Sequence, residues 1–254
     1  DDQHGTAITV AAAMVNALKV AGKKIEEIKL VASGAGAAAL ACLNLLLEIG
    51  LKRENVFVTD IAGVVYEGRT ELMDEDKAKF AQKTELRTLG EVIAGADAFL
   101  GLSAGNVLKK DMVAKMADKP IIFALANPSP EILPEDVKAV RDDAIIATGR
   151  TDYPNQVNNV LCFPYIFRGA LDCGSTTITT EMEVAAVNAI AALAEAEQSE
   201  EVAAAYVGQS LSFGPEYLIP KPFDPRLMLI VAPAVAQAAA DCGVAQRPIQ
   251  DMDA

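Results

Sequence analysis

The stretch that most restricts this chain begins at Ile28. A short β-branched run, Ile28 to Ala32, breaks off at Ser33-Gly34-Ala35-Gly36 and is followed by an Ala- and Leu-rich run from Ala37 to Ile49 that Gly50 stops. The first run has the length and composition of a strand and the second those of a helix. The pattern Gly34, Gly36, Ala39 is a G-x-G-x-x-A placed at a strand-to-helix turn. The first glycine permits the tight turn, the second lets a ligand approach the backbone, and the small third residue lets helix and strand pack closely. The helix start adds N–H donors and the positive end of a dipole. A pyrophosphate fits that seat, so Gly34, Ala35, Gly36, Ala37 and Ala38 are the candidate contacts for a dinucleotide.

The rest of the chain agrees with such a fold. Asn55 to Thr59 reads as a second strand closing on Asp60, which lies somewhat farther from Gly34 than the ~20 residues usual for a ribose-binding acid. Asp60 is either that 2′-hydroxyl contact, a solvated strand-end carboxylate or the cap of the next turn. Arg69, Lys52 and Arg53 are near enough in sequence to meet a 2′-phosphate instead, so NAD and NADP both remain open. Three further apolar runs, Ala98–Leu102, Ile121–Leu125 and Ala144–Thr148, alternate with helical stretches at Leu108–Met116 and Pro134–Arg141. Alternation at this spacing implies a parallel sheet covered on both faces, an α/β doubly wound sheet of the Rossmann type. Thr6 to Val20 is helical at the start. Beyond Thr148 only helices are expected: Gln156–Leu171, Thr180–Ala194 with a Thr180/Glu183 capping box, and Asp224–Asp241. With no repeat and no low-complexity linker, these C-terminal helices are expected to pack on the sheet, making residues 1–254 one domain.

Composition narrows the partners. The chain has 254 residues, 52% of them hydrophobic, and a net charge of −13, with a pI near 4.6. Such a surface repels phosphate backbones and anionic membranes, which argues against nucleic-acid binding. No uninterrupted apolar run reaches the ~18 residues of a membrane span, and no signal peptide is evident. The four cysteines form no C-x-x-C pair, and Cys162 sits among apolar neighbours, which points to buried thiols and a reducing, cytoplasmic setting. The chain starts at Asp1 without an initiator Met and reads as part of something longer.

Ligands in this architecture sit at the carboxyl edge of the sheet. Ser103 follows the third strand, Asn127-Pro128 the fourth and Gly149 to Pro154 the fifth. Asn127 offers a donor and an acceptor there, although Asn-Pro is also a common turn. Asn155, Gln156, Asn158 and Asn159 crowd four amides into five residues, more than helix capping requires. Neutral amides suit a carboxylate or carboxamide ligand. Asp1 and Asp2 open the first helix, where acids favour the dipole; as hard oxygen donors they also suit Mg²⁺ or Mn²⁺. His4 is the sole histidine, so a His-rich metal site is excluded within this chain.

Longer strings resemble a known family. D-D-Q-H-G-T-A at 1–7, I-F-A-L-A-N-P at 122–128, A-T-G-R-T-D-Y-P-N-Q-V-N-N-V at 147–160, F-P-Y-I-F-R-G-A-L-D at 163–172 and Y-L-I-P-K-P-F-D-P-R-L at 217–227 are similar to the cofactor domain of bacterial malic enzymes. The resemblance covers essentially the whole chain and is most specific from Ala147 to Asp172. It implies oxidative decarboxylation of malate to pyruvate and CO₂ with reduction of NAD or NADP. By it, Asp2 is a ligand of Mg²⁺ or Mn²⁺ and Asp1 supports that site. Asn127 and Asn158 lie against nicotinamide and substrate, and Asn159 binds a malate carboxylate. Gly105-Asn106 stands where many members have Pro-Gly, a departure confined to a loop. The family's general acid (a tyrosine), general base (a lysine) and remaining metal carboxylates belong to a preceding N-terminal catalytic domain, and none is matched here. A homo-oligomer is also implied. The alternatives are the dinucleotide domain of another dehydrogenase and a non-catalytic NAD(P)-binding module.

Overall fold

A computed structural model of the chain describes residues 2–197, 202, 206 and 211–249. They fall into two compact units, Ala17–Gln156 and the described part of Asp1–Asn16 with Val157–Ala254. The boundary passes through the first helix, α1 (Asp2–Ala21).

The first unit contains a six-stranded sheet. Its strands are β1 (Leu30–Ser33), β2 (Val56–Asp60), β3 (Gly63–Val64), β4 (Ala98–Gly101), β5 (Ile121–Ala124) and β6 (Ile145–Thr148), in the order β3-β2-β1-β4-β5-β6. All neighbours are parallel except β2 and β3. All four residues of β1, β4 and β5 are buried, which explains why these strands read as unbroken apolar runs without alternation. Phe99, Ile122, Val31 and Ile132 share one core with Val92 and Val113. The mostly parallel, doubly wound sheet is the one expected. The antiparallel β3 is not foreshadowed by sequence, because two residues carry no periodicity.

Parallel neighbours require crossovers. Helix α2 (Ala37–Glu48) leads from β1 to β2 and buries Leu40, Leu43, Leu45 and Leu46. The other connections carry single-turn helices: α3 (Glu75–Ala78), α4 (Leu89–Val92), α5 (Lys110–Val113) and α6 (Pro134–Lys138). The last two are shorter than the sequence suggests. After α5 the sheet recaptures the chain, with the Ala117 N–H donating to the Ala96 carbonyl. After α6, Arg141 turns onto Asp143.

Register fixes where a ligand can sit. Ser33 is level with Thr59 and Gly101, Gly101 with Ala124, and Ala124 with Thr148. The loops after β1, β4, β5 and β6 therefore leave from one edge. The chain runs from β1 outward to β2 on one side and returns to β4 on the other, so strand order reverses beside β1. That is the switch point at which doubly wound sheets bind ligands.

The second unit is helical: the start of α1, then α7 (Tyr165–Asp172), α8 (Thr180–Glu195) and α9 (Arg226–Asp241). Helices α7 and α9 approach so closely at Gly169 that a Cβ there would collide with the Ala232 carbonyl. Asn16 is fully buried, and its Nδ2 donates to the carbonyls of Ala191 and Leu218 at 2.9 and 2.8 Å. Two expectations need correction. Gln156–Leu171 is not one helix; a 3-10 turn at Asn159–Leu161 precedes α7. Pro164 lacks an N–H and biases Phe163 away from helical angles, so the helix starts after it. The cap of α8 is Thr179, whose Oγ1 accepts from the Met182 N–H at 3.4 Å, one residue before the expected Thr180/Glu183 box. Glu183 instead meets His4, as described below. Among the described residues no helix is long and apolar enough to cross a membrane.

Candidate active site

The glycine turn lies at the switch point. Gly34 has φ of +110°, and a Cβ there would collide with the Leu102 carbonyl. Only glycine meets both conditions. Its N–H donates to the Thr59 carbonyl at 2.8 Å, and the Leu102 N–H donates to the Ser33 carbonyl at 2.8 Å, so the turn is fixed to β2 and β4. Gly36 is the N-cap of α2, with ordinary extended backbone. It carries no side-chain cap, and the first turn holds no acid. A Cβ built on Gly36 would meet nothing within 4 Å, and Gly36 and Ala37 are exposed. Ala35 and Ala38 are half-buried beside them, while Ala39 is buried. Among the described residues the helix N-terminus thus has no capping side chain and no first-turn acid, and it is open beside Gly36 where an anion would approach. A dinucleotide pyrophosphate fits.

Asp60 closes β2 at the same edge, but its carboxylate is already engaged. Arg69 Nη2 donates to both oxygens at 2.7 and 2.6 Å, Lys77 Nζ to Oδ2 at 2.9 Å, and the Ala62 N–H to Oδ1 at 2.9 Å. Burial opposes the charge, yet the bonds from Arg69, Lys77 and Ala62 outweigh it and hold the carboxyl below the usual range. Arg69 spends its other donors on the Glu71, Gly63 and Val64 carbonyls. Of the cations noted for a 2′-phosphate, Arg69 is therefore committed within the fold, and Arg53 donates to the Lys79 carbonyl. Lys77, which sequence reasoning overlooked, adds a second positive charge beside Asp60.

Asn127 is exposed at the end of β5, and its side chain lies over Gly149, where a Cβ would come within 2.8 Å of Nδ2. The residue that ties this edge together is Glu131, which sequence reasoning also missed. It is fully buried. Oε1 accepts from the Ser103 N–H at 2.9 Å and from Ser103 Oγ at 3.2 Å, and Oε2 accepts from the Ala126 N–H at 3.1 Å. Desolvation pushes its pKa up, against these donors. The available signal was a lone acid in the stretch Asn127-Pro-Ser-Pro-Glu131-Ile-Leu-Pro134, where surface charge is otherwise absent.

Most of the other candidates lie in the helical unit, and Asn155 lies in the sheet-containing one. Asn159 Nδ2 donates to Asp2 Oδ1 at 3.0 Å across 157 positions of sequence, so the proposed metal ligand and the proposed carboxylate binder are neighbours. Asn158 caps the 3-10 turn, its Oδ1 accepting from the Val160 N–H at 3.0 Å. Asn155 is buried with φ of +55°, and its Nδ2 donates to the Ile146 carbonyl. One amide of the cluster is therefore structural and one doubles as a cap. Asp1 lies outside the described residues. His4 Nδ1 stands 2.9 Å from Glu183 Oε1, and burial raises the Glu183 pKa while His4 opposes the rise. That pair borders a cavity of about 250 Å³ lined also by Ile8, Cys162, Phe163 and Phe167.

Asp2 is exposed and offers a hard oxygen donor next to an amide. Among the described residues no cluster of three or more His, Cys, Asp or Glu side chains is placed to hold a metal. The donors present therefore suit one corner of an Mg²⁺ or Mn²⁺ shell and leave the others to be supplied elsewhere. All four cysteines are free, and burial pushes Cys42 and Cys162 up to about 12, where thiolate is scarce.

Comparison with known proteins follows the same lines. A family model described as "Malic enzyme, NAD binding domain" matches residues 3–206. An NAD-dependent malic enzyme of Rhizobium meliloti (strain 1021) is 65% identical over 254 residues, which is all of this chain and 33% of that protein. An NADP-dependent malic enzyme of Salmonella typhimurium (strain LT2) is 63% identical over 255 residues, covering 100% of this chain and 34% of the relative. The chain thus spans about a third of the length of these curated relatives. Among solved structures, malic enzyme from Pyrococcus horikoshii superposes with a TM-score of 0.86 at 40% identity, covering 98% of this chain and 56% of that one.

Proposed function

The chain belongs to the family of malic enzyme NAD-binding domains, and from that premise we propose that it is the cofactor-holding part of an enzyme that oxidises and decarboxylates malate to pyruvate. NAD(P) is the cofactor of the family. When bound, it supplies the hydride acceptor, and a divalent cation supplies a Lewis acid for the substrate oxygens. The open start of α2 carries the reading: its uncapped N–H groups, from Gly36 to Ala38, hold the pyrophosphate. Asp60 meets the adenosine ribose as part of a charge-compensated cluster. Asn127 and Asn158 orient the nicotinamide and substrate without adding charge, and Asn159 binds a malate carboxylate. Asp2 is one ligand of Mg²⁺ or Mn²⁺, supported by Asp1. The proton donor and acceptor, a tyrosine and a lysine, come from an N-terminal catalytic domain outside this sequence, and the active protein is a cytoplasmic homo-oligomer. Residues 1–254 act together as its NAD(P)-binding region.

The test is malate oxidation by the full-length protein with NAD and with NADP, in the presence and absence of Mn²⁺. Metal-dependent formation of pyruvate and NAD(P)H supports the reading. NAD(P)H binding without turnover on malate would identify a module that senses the dinucleotide, and turnover on a different acid would identify another dehydrogenase.

A further inference from the structure

The Glu131 carboxylate is an unusual component for a loop junction. It is fully buried, and its hydrogen bonds come from N–H groups and a hydroxyl. Burying a charge in such surroundings costs free energy that an apolar side chain would not incur, and its raised pKa reflects that cost. The fold also makes room for it: a Cβ on Gly101, the last residue of β4, would collide with the Glu131 carboxyl group. What the carboxylate provides in return is a fixed distance between two strand ends. Oε1 holds the Ser103 N–H, two residues past β4, and Oε2 holds the Ala126 N–H, two residues past β5. The Glu131 carbonyl accepts from the Leu108 N–H and the Pro130 carbonyl from the Asn106 N–H, which laces the same two loops again.

The chain of contacts continues to the glycine turn. Ser103 Oγ lies 3.2 Å from Glu131 Oε1 and 2.9 Å from Ser33 Oγ, and Ser33 directly precedes Gly34. An ionised carboxylate accepts only, so the Ser103 hydroxyl donates to Glu131 and the Ser33 hydroxyl donates to Ser103. Three strand ends on both sides of the switch point are thereby set by one carboxylate. We propose that Glu131 is a positioning residue for the dinucleotide seat, holding the Ser103 and Ser33 backbone where the pyrophosphate turn needs them. This rests on the reading that the Gly34 turn holds NAD(P).

Glu131→Gln in the full-length protein tests it. An amide keeps the size but offers one acceptor oxygen, so either the Ser103 or the Ala126 N–H loses its partner. The Kd of NADPH or NADH, read by fluorescence titration, and the KM of the oxidised cofactor are expected to rise about tenfold. The KM of malate stays within about twofold, since no malate contact is touched. Ser103→Ala, which removes only the hydroxyl link and does not threaten the fold, is expected to raise the cofactor Kd by about threefold. The proposal is overturned if both variants bind NAD(P)H as tightly as wild type, or if malate and cofactor KM rise together as a general loosening would make them. If Glu131→Gln does not fold, Ser103→Ala decides alone. A wild-type protein that fails to bind NAD(P)H would overturn the functional reading itself, which is a different result from variants that bind normally.

Discussion

Replacing Gly36 with aspartate separates the fold from its ligand, because the two respond with opposite signs. Gly36 has φ of −83° and ψ of 179°, angles any residue adopts, and a Cβ there meets nothing within 4 Å. Aspartate at an N-cap that now has no side-chain hydrogen bond improves on glycine by a few tenths of a kcal/mol. Its charge beside the helix N-terminus contributes about 0.3–1 kcal/mol more. The melting temperature therefore rises rather than falls, by a few °C at most in the larger full-length protein. Binding moves the other way. The new carboxylate takes the N–H groups the pyrophosphate would use and stands about 4 Å from it, a repulsion on the order of 4 kcal/mol at an effective dielectric of 20. Partial screening leaves a loss of at least about a hundredfold in affinity. NAD(P)H fluorescence titration and a thermal melt on the same full-length sample measure both. Gly36→Ala controls for size and is expected to shift Kd less than about fivefold. A Gly36→Asp protein that melts higher and still binds NAD(P)H like wild type would refute the claim that this helix start holds the diphosphate.

Other consequences are as direct. Asp2→Ala in the full-length protein is expected to abolish metal-dependent turnover while leaving NAD(P)H affinity within about twofold; unchanged turnover removes Asp2 from the metal site. Asp60→Asn leaves Arg69 and Lys77 without their shared anion and is expected to cost about 3 kcal/mol in urea unfolding at pH 7. The folded pKa of Asp60 is lowered, so the stabilisation is complete above the unfolded pKa of about 3.9 and disappears as pH falls through the folded value. The gap between wild type and Asp60→Asn should therefore narrow below about pH 4, and a gap that does not change with pH contradicts the ion-pair account. Gly169→Ala drives a methyl into the Ala232 carbonyl and is expected to lower stability by about 1–3 kcal/mol. A neutral effect there would mean α7 and α9 adjust freely.

Sequence was informative where the chain repeats a strong local rule. The runs Leu30–Ser33 and Ile121–Ala124 are apolar because the sheet is covered on both faces, and the glycines at 34 and 36 punctuate the turn. Alternation then implies a covered parallel sheet, but the order β3-β2-β1-β4-β5-β6 and its reversal beside β1 are set by the pairings in the fold. Side-chain partnerships across the sheet were not legible. Nothing within a few residues of Asp60 reveals that Arg69 and Lys77 saturate it, and Glu131 is assigned its place only when β4 and β5 come side by side. Local rules also competed at Thr179 and Thr180, where either hydroxyl could cap α8 and packing of Glu183 against His4 favours the earlier one. The string from Ala147 to Val160 pointed to the amides, but which of them serve the fold could not be read. Asn155 holds a β6 carbonyl and Asn158 caps a turn, whereas Asn159 reaches Asp2.

A crystal structure of the full-length protein with NADP or NAD bound examines the central claim without intermediaries. Pyrophosphate oxygens should lie about 3 Å from the N–H groups of the α2 start, at Ala37 and Ala38, above the bend formed by Gly34. Density for the dinucleotide elsewhere, with that helix start left to water, would contradict the account.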